Sequence, residues 1–272
     1  MRDLKARFFT ALVFVSVMIG GILTGEVPAI ILFGAVLLRC LWEFYQLTLS
    51  GKLLLRVLAI LPGLLPYGLA AVGHLTDLDY SPQVIPLALV ATFFVVTAVL
   101  LIAKSPEALQ KLAFIALGTM YLGIPFAGIL WIAFPDGIYH PNLLLGLLFL
   151  TWINDTGAYV VGSLVGKKPL MPSISPKKTL EGTLGGLFFN LLFSWPMHAL
   201  FPELSVVEWA GMGLIATVFG TLGDLTESLF KRSLQVKDSG NILPGHGGFL
   251  DRFDAFIFIL PFAAIYLTLI HQ

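Results

Sequence analysis

Apolar residues in this chain come in long runs separated by short polar stretches. Several runs reach about 20 residues, the length at which a helix crosses ~30 Å of hydrocarbon. They do not alternate as barrel strands do, so the backbone must satisfy itself within helices. Nine spans can be drawn, at 8–24, 28–48, 53–73, 84–103, 112–134, 143–165, 183–201, 207–227 and 252–270. The expected fold class is therefore all-α, a polytopic transmembrane helical bundle of about nine spans.

The connecting loops alternate in charge. The N-terminus and the loops near 49–52, 104–111, 166–182 and 228–251 carry Lys and Arg. The loops near 25–27, 74–83, 135–142 and 202–206 carry none, only acids such as Glu26, Asp77, Asp79, Asp136 and Glu203. All 16 Lys and Arg fall on the side of the N-terminus, counting Arg39, Arg56 and Arg252 near the ends of their spans. The positive-inside rule then predicts a cytoplasmic N-terminus and an outside C-terminus.

Composition agrees: 57% of residues are hydrophobic and 12% charged, with a mean hydropathy of +0.91. The net charge of +0 points to no partner, and nothing suggests nucleic acid. The single cysteine, Cys40, lies in an apolar run and excludes an intramolecular disulfide. The basic, apolar N-terminus has the look of a signal peptide but shows no clear small-x-small cleavage site, so it is read as the first span. Arg39 and Glu43, spaced i, i+4 in span two, read as an ion pair that anchors the helix.

A chain that avoids charge elsewhere concentrates it between Ser228 and Asp254. Asp251 and Asp254 share a helix face at i, i+3, and Asp224 ends the preceding span on a face with Glu227, Ser228 and Lys231. Carboxylates without clustered His or Cys suit a hard cation such as Mg²⁺. Lys231, Arg232, Lys237 and Arg252 suit phosphate oxygens. The turn Pro244-Gly245-His246-Gly247-Gly248 lets backbone approach a ligand. Taken singly, each feature has a plainer explanation, as topology signal, turn or helix cap. Their conjunction in one loop favours a nucleotide or pyrophosphate site.

Span six adds Thr151, Asn154, Asp155 and Tyr159. A carboxylate inside a span costs about 2.5–3.5 kcal/mol on insertion scales, so it usually has a partner and a task. The loop after it contains Ser175-Pro176-Lys177-Lys178-Thr179-Leu180-Glu181-Gly182, cations followed by a helix start at Thr179 or Glu181. A helix N-terminus with nearby Lys binds anions. Gly162 with Gly166, and Gly182 with Gly186, have small-xxx-small spacing, a weak packing signal.

The stretch of Ser228, Lys231, Arg232, Lys237, Asp238, Gly240, Leu243, Pro244, His246, Gly247, Gly248, Asp251, Arg252 and Asp254 resembles the signature of the phosphatidate cytidylyltransferases, also called CDP-diacylglycerol synthases. The runs NDTGAY and SPKKTLEG resemble polar elements of the same family. The resemblance implies transfer of CMP from CTP to phosphatidic acid, giving CDP-diacylglycerol and pyrophosphate. It implies Mg²⁺ as cofactor, with a second cation left open, and Asp224 and Asp251 as metal ligands, with Asp254 and Asp155 next in line. Lys237 and Arg252 join Asp224 and Asp251 as catalytic candidates. Substrate-binding candidates are Lys177, Lys178, Lys231, Arg232, Ser175, Asn154, His246, Gly247 and Gly248. The expected location is a bacterial inner membrane, with the site facing the cytoplasm; a homodimer is left open.

On this view residues 1–140 are a mostly structural membrane part. Residues 141–272 form the catalytic part, with loops 166–182 and 228–251. A transporter is the first rival, but the polar groups gather at one face rather than at a midplane between repeats. Among other lipid phosphotransferases, a CTP-dependent polyprenol kinase would move the γ-phosphate. A CDP-alcohol phosphatidyltransferase would need an Asp-Gly-x-x-Ala-Arg run that is absent.

Overall fold

The computed structural model describes residues 2–49, 53–76, 84–105, 107–240, 242 and 247–270, with backbone only for residues 2–8. Helices dominate: α1 (Arg2–Leu23), α2 (Glu26–Thr48), α3 (Leu53–Leu75), α4 (Val84–Ile102), α5 (Ala108–Gly118) and α6 (Ile124–Ala133) come first. A π turn over Thr119–Gly123 joins α5 to α6. Then follow α7 (Pro141–Val165), α8 (Leu180–Leu200), α9 (Val206–Ser233) and α10 (Leu250–Ile270).

Among the described residues, 7 helical segments are long and apolar enough to cross a membrane, counting α5 and α6 as one. All lie where the hydropathy pattern predicts spans. The other expected spans are also helical but differ in kind. The apolar part of α1, Phe9–Leu23, is shorter. Helix α8 has the length but carries Glu181, Asn190, Ser194 and His198.

The expectation of a purely helical chain needs one correction. Between α7 and α8 the polypeptide forms an antiparallel hairpin, β1 (Pro169–Met171) and β2 (Ser175–Thr179), in place of an irregular loop. Glu181 closes its base, accepting from the amides of Lys167 at 3.0 Å and Lys168 at 3.1 Å. A second correction concerns 228–233. This segment continues α9 as helix, so Lys231 and Arg232 sit in its last turn, where cations oppose the negative end of the helix dipole.

The chain divides into two compact units, Met1–Trp131 with Asp238–Asp251, and Ile132–Lys237 with Arg252–Gln272. In the first, aromatic hydroxyls tie helices together in the apolar interior. Tyr45 donates to the Ile115 carbonyl at 3.0 Å and Tyr67 to that of Ile30 at 2.6 Å. At Gly123 a Cβ would run into the Gly63 carbonyl, so the π turn and α3 meet backbone to backbone.

In the second unit α7 and α8 approach through glycine. A Cβ on Gly162 would lie 3.3 Å from the Gly182 Cα, so the small-residue spacing does mark a helix contact. Buried Asn190 of α8 donates to the Gly213 carbonyl at 3.1 Å and to Thr217 Oγ1 at 3.0 Å, joining α8 to α9. Such bonds offset the cost of burying the Asn190 amide nitrogen among apolar side chains.

Candidate active site

The second unit holds a cavity of about 380 Å³ whose lining includes Asn154, Asp155, Tyr159, Lys177, Lys178, Thr179 and Asp224. Three elements bring these residues together. Helix α7 supplies Asn154, Asp155 and Tyr159, strand β2 the lysines, and α9 Asp224. Strand alternation exposes Lys177 and turns Lys178 inward, where its ammonium pairs with Asp224 Oδ2. The next residue, Thr179, caps α8: its hydroxyl accepts from the Gly182 amide at 3.1 Å. The helix start expected at Thr179 or Glu181 is thus at Thr179, and its N-terminus opens on the cavity wall.

Asp155 has Asp224, Lys178 and Arg252 as its charged neighbours and accepts a hydrogen bond from the Asn154 side chain. Asn154 is buried, and its Oδ1 has no hydrogen-bond partner among the described residues. Asp254 lies within hydrogen-bonding reach of Asp224 and close to Glu227. Gly223 makes this possible, since a Cβ there would meet the Asp254 carbonyl at 2.5 Å and push α9 off α10. Lys231 pairs with buried Glu227 one turn back on α9. Arg232 and Lys237 are exposed, and Ser175 is half-buried in β2. The second unit therefore gathers Asn154, Asp155, Lys177, Lys178, Asp224, Arg252 and Asp254 around one region.

Outside the spans, Asp136 and Glu181 both titrate below the usual carboxylate range, Asp136 chiefly because the Ile138 amide donates to it. Glu181 is held below the usual glutamate range, first by the Lys167 amide and further by its own and the Lys168 amide.

In the first unit the other half of the charged stretch takes shape. Asp251 stands in the first turn of α10 and accepts from the Gly248 amide at 2.8 Å and the Ser239 amide at 3.0 Å. Gly247 has φ +80°, a left-handed conformation suited to glycine, and a Cβ there would press on Asp251 Oδ2. His246 lies outside the described residues.

The sequence-based reading of Glu43 as the ion-pair partner of Arg39 is incomplete. Arg39 Nε is 3.4 Å from Glu43 Oε1 but makes no hydrogen bond to it. The carboxylate instead accepts from the Phe249 amide at 3.1 Å, the Leu250 amide at 3.0 Å and Ser239 Oγ at 3.2 Å. A carboxylate in a span is the sequence signal for this role, and the i, i+4 arginine masks it. Thr183, Ser163 and Thr221 also line the cavity, and no sequence pattern singled them out.

The profile of the Cytidylyltransferase family matches residues 5–270. The chain belongs to that family. It is 36% identical over 268 residues to a phosphatidate cytidylyltransferase of Staphylococcus aureus (strain COL), covering 97% of this chain and 99% of the relative. A Staphylococcus epidermidis phosphatidate cytidylyltransferase is 35% identical over 271 residues, again at 97% and 99%. One from Staphylococcus saprophyticus is 41% identical over 182 residues, 66% of this chain and 68% of the relative. As a member of this family the protein is a nucleotidyltransferase, and the cavity and the signature loop both lie within the matched residues.

Proposed function

We propose that the protein transfers CMP from CTP to phosphatidic acid, releasing pyrophosphate and forming CDP-diacylglycerol. The observation that carries this is the likeness to the S. aureus enzyme along 97% of the chain. The Lys178–Asp224 pair in the wall of a 380 Å³ cavity is the kind of chemistry the reaction needs.

In the proposed reaction a phosphate oxygen of the lipid attacks the α-phosphorus of CTP. The bond from that phosphorus to the bridging oxygen breaks, and pyrophosphate leaves with the electron pair. A phosphomonoester with a second pKa near ~6 is already nucleophilic at neutral pH, so no strong general base is required. The protein's work is to place two anions together and offset their charge. Lys177 and Lys178 meet phosphates from the hairpin, Lys231, Arg232, Lys237 and Arg252 from the signature stretch. Ser175 and Asn154 offer further polar contacts, and His246, Gly247 and Gly248 shape the turn near the nucleotide.

The donors are all oxygen, which fits Mg²⁺ in kind. Among the described residues no group of three or more His, Cys, Asp or Glu converges as a complete metal cage. That too is compatible with Mg²⁺, which is commonly held by one or two carboxylates plus substrate phosphates and water. Asp224 and Asp251 would hold the ion, with Asp254 and Asp155 next in line for it or for a second cation. When bound, it supplies charge neutralisation at the phosphates.

We place the site at the cytoplasmic face of a bacterial inner membrane, in a nine-span chain with its N-terminus inside and C-terminus outside. CTP then arrives from the cytoplasm and the lipid from the adjoining leaflet. Residues 141–272 carry the chemistry, residues 1–140 support it, and a homodimer is compatible with this arrangement. The test is to supply purified protein with CTP, phosphatidate and Mg²⁺. Pyrophosphate should appear in step with lipid-bound CMP, and pyrophosphate without a cytidylylated lipid counts against the proposal.

A further inference from the structure

We infer that Glu43 is a positioning residue for the transfer reaction, because its buried carboxylate fixes the backbone on which Asp251 depends. The inference rests on the role proposed above for Asp251, and its motivation is local geometry. Glu43 is 0% exposed and lies in α2, far in sequence from the signature stretch. Its Oε1 accepts from the Phe249 amide, and its Oε2 accepts from the Leu250 amide and Ser239 Oγ. The first two are amides at the start of α10, which no preceding helical turn can satisfy. Glu43 therefore acts as a helix cap delivered from another helix.

The grip extends to both ends of the loop. A Cβ on Gly248 would overlap Glu43 Oε2 and Ser239 Oγ, and one on Gly240 would sit 3.0 Å from Glu43 Oε1. Part of the need for glycine in this stretch is thus the space the carboxylate occupies. Asp251 holds the same segment from the other side, through the amides of Ser239 and Gly248. Ser239 bonds Glu43 by its hydroxyl and Asp251 by its amide. Glu43 never needs to touch a substrate. It holds the groups that hold Asp251, and a displacement of about 1 Å at a reacting centre can cost on the order of a hundredfold in rate.

The experiment compares full-length wild type, Glu43→Gln and Ser239→Ala in detergent. It reads hydrogen exchange of the amides at 247–250 and the separate kcat and KM of CMP transfer. Gln keeps the size and one accepting oxygen but replaces the other with an NH₂ group, which cannot accept the Leu250 amide. Glu43→Gln should remain folded, exchange faster at Phe249 and Leu250, and lose on the order of a hundredfold in kcat. KM for CTP should stay nearly unchanged, because the nucleotide-binding cations are untouched. Ser239→Ala should show the same pattern several-fold weaker. Normal kcat in folded Glu43→Gln overturns the inference, as does unchanged exchange at 249 and 250. If Glu43→Gln does not fold, Ser239→Ala decides: reduced kcat at constant KM with faster exchange supports the inference, and wild-type values overturn it. A wild type that transfers no CMP refutes the proposed function instead, and exchange still shows whether Glu43 holds the loop.

Discussion

Asp251 in the charged stretch and Asp224 just before it are held in opposite ways. Asp251 is held by backbone, the amides of Ser239 and Gly248. Asp224 is held by a side chain, the ammonium of Lys178 on a short hairpin. Amides are fixed by the path of the chain and cannot leave without unfolding it. A lysine on a flexible stem can turn from a carboxylate to a phosphate oxygen when one arrives. In the proposed mechanism, Asp251 is the preorganised carboxylate and Lys178 the cation that can exchange Asp224 for a substrate phosphate. A nucleotidyl transfer uses both behaviours, a fixed frame and cations free to follow charge.

The largest effects should come from removing either carboxylate's charge. Asp224→Asn and Asp251→Asn should each lower kcat on the order of a hundredfold to a thousandfold while the protein still folds. Both should raise the Mg²⁺ requirement or change the preferred ion, read from Mg²⁺ titrations of CMP transfer. If the acids only cap helices, Asn should do nearly as well and turnover per folded molecule should stay near normal.

Lys178 sharpens the contrast. Lys178→Ala removes a charge-assisted partner from Asp224 and, in this account, from the nucleotide. KM for CTP should rise about tenfold to a hundredfold, with a smaller fall in kcat, and Lys178→Arg should recover part of it. A loss confined to kcat would place Lys178 with the fixed frame instead.

The sequence carried the broad outline because hydropathy is a local property: long apolar runs became helices where they were drawn. The cap at Thr179 was also legible, since Thr before a glutamate and an apolar run is a local signal. The hairpin at 169–179 was not, because Pro169, Pro172 and Pro176 argue for irregular loop, and the strands are held partly by Glu181 beyond them. The continuation of α9 through Ser233 is not legible because charge marks a loop after a span but also suits an exposed last helical turn. The role of Glu43 is not legible because its partners lie about 200 residues away in sequence, a separation no periodicity can reveal.

The smallest predicted effect concerns the hairpin. Glu181 has a folded-state carboxyl below the ordinary value of 4.5, so it contributes hairpin stability above that value. The contribution is lost as pH falls through the lowered folded value. Exchange at the Lys167 and Lys168 amides should accelerate relative to intrinsic rates on acidification below 4.5. In Glu181→Ala that extra protection should be absent at every pH, with turnover near neutrality reduced only slightly. Equal protection in both proteins would break the link between this carboxylate and the hairpin.

The most direct test of the account follows the label on CTP. Purified protein receives phosphatidate, Mg²⁺ and CTP labelled at either the α- or the γ-phosphorus. The α-label should enter the lipid and the γ-label should leave in pyrophosphate, with both rates falling together in Asp224→Asn. Label from the γ-phosphorus in the lipid, with none from the α-position, would mean a kinase and contradict cytidylyl transfer.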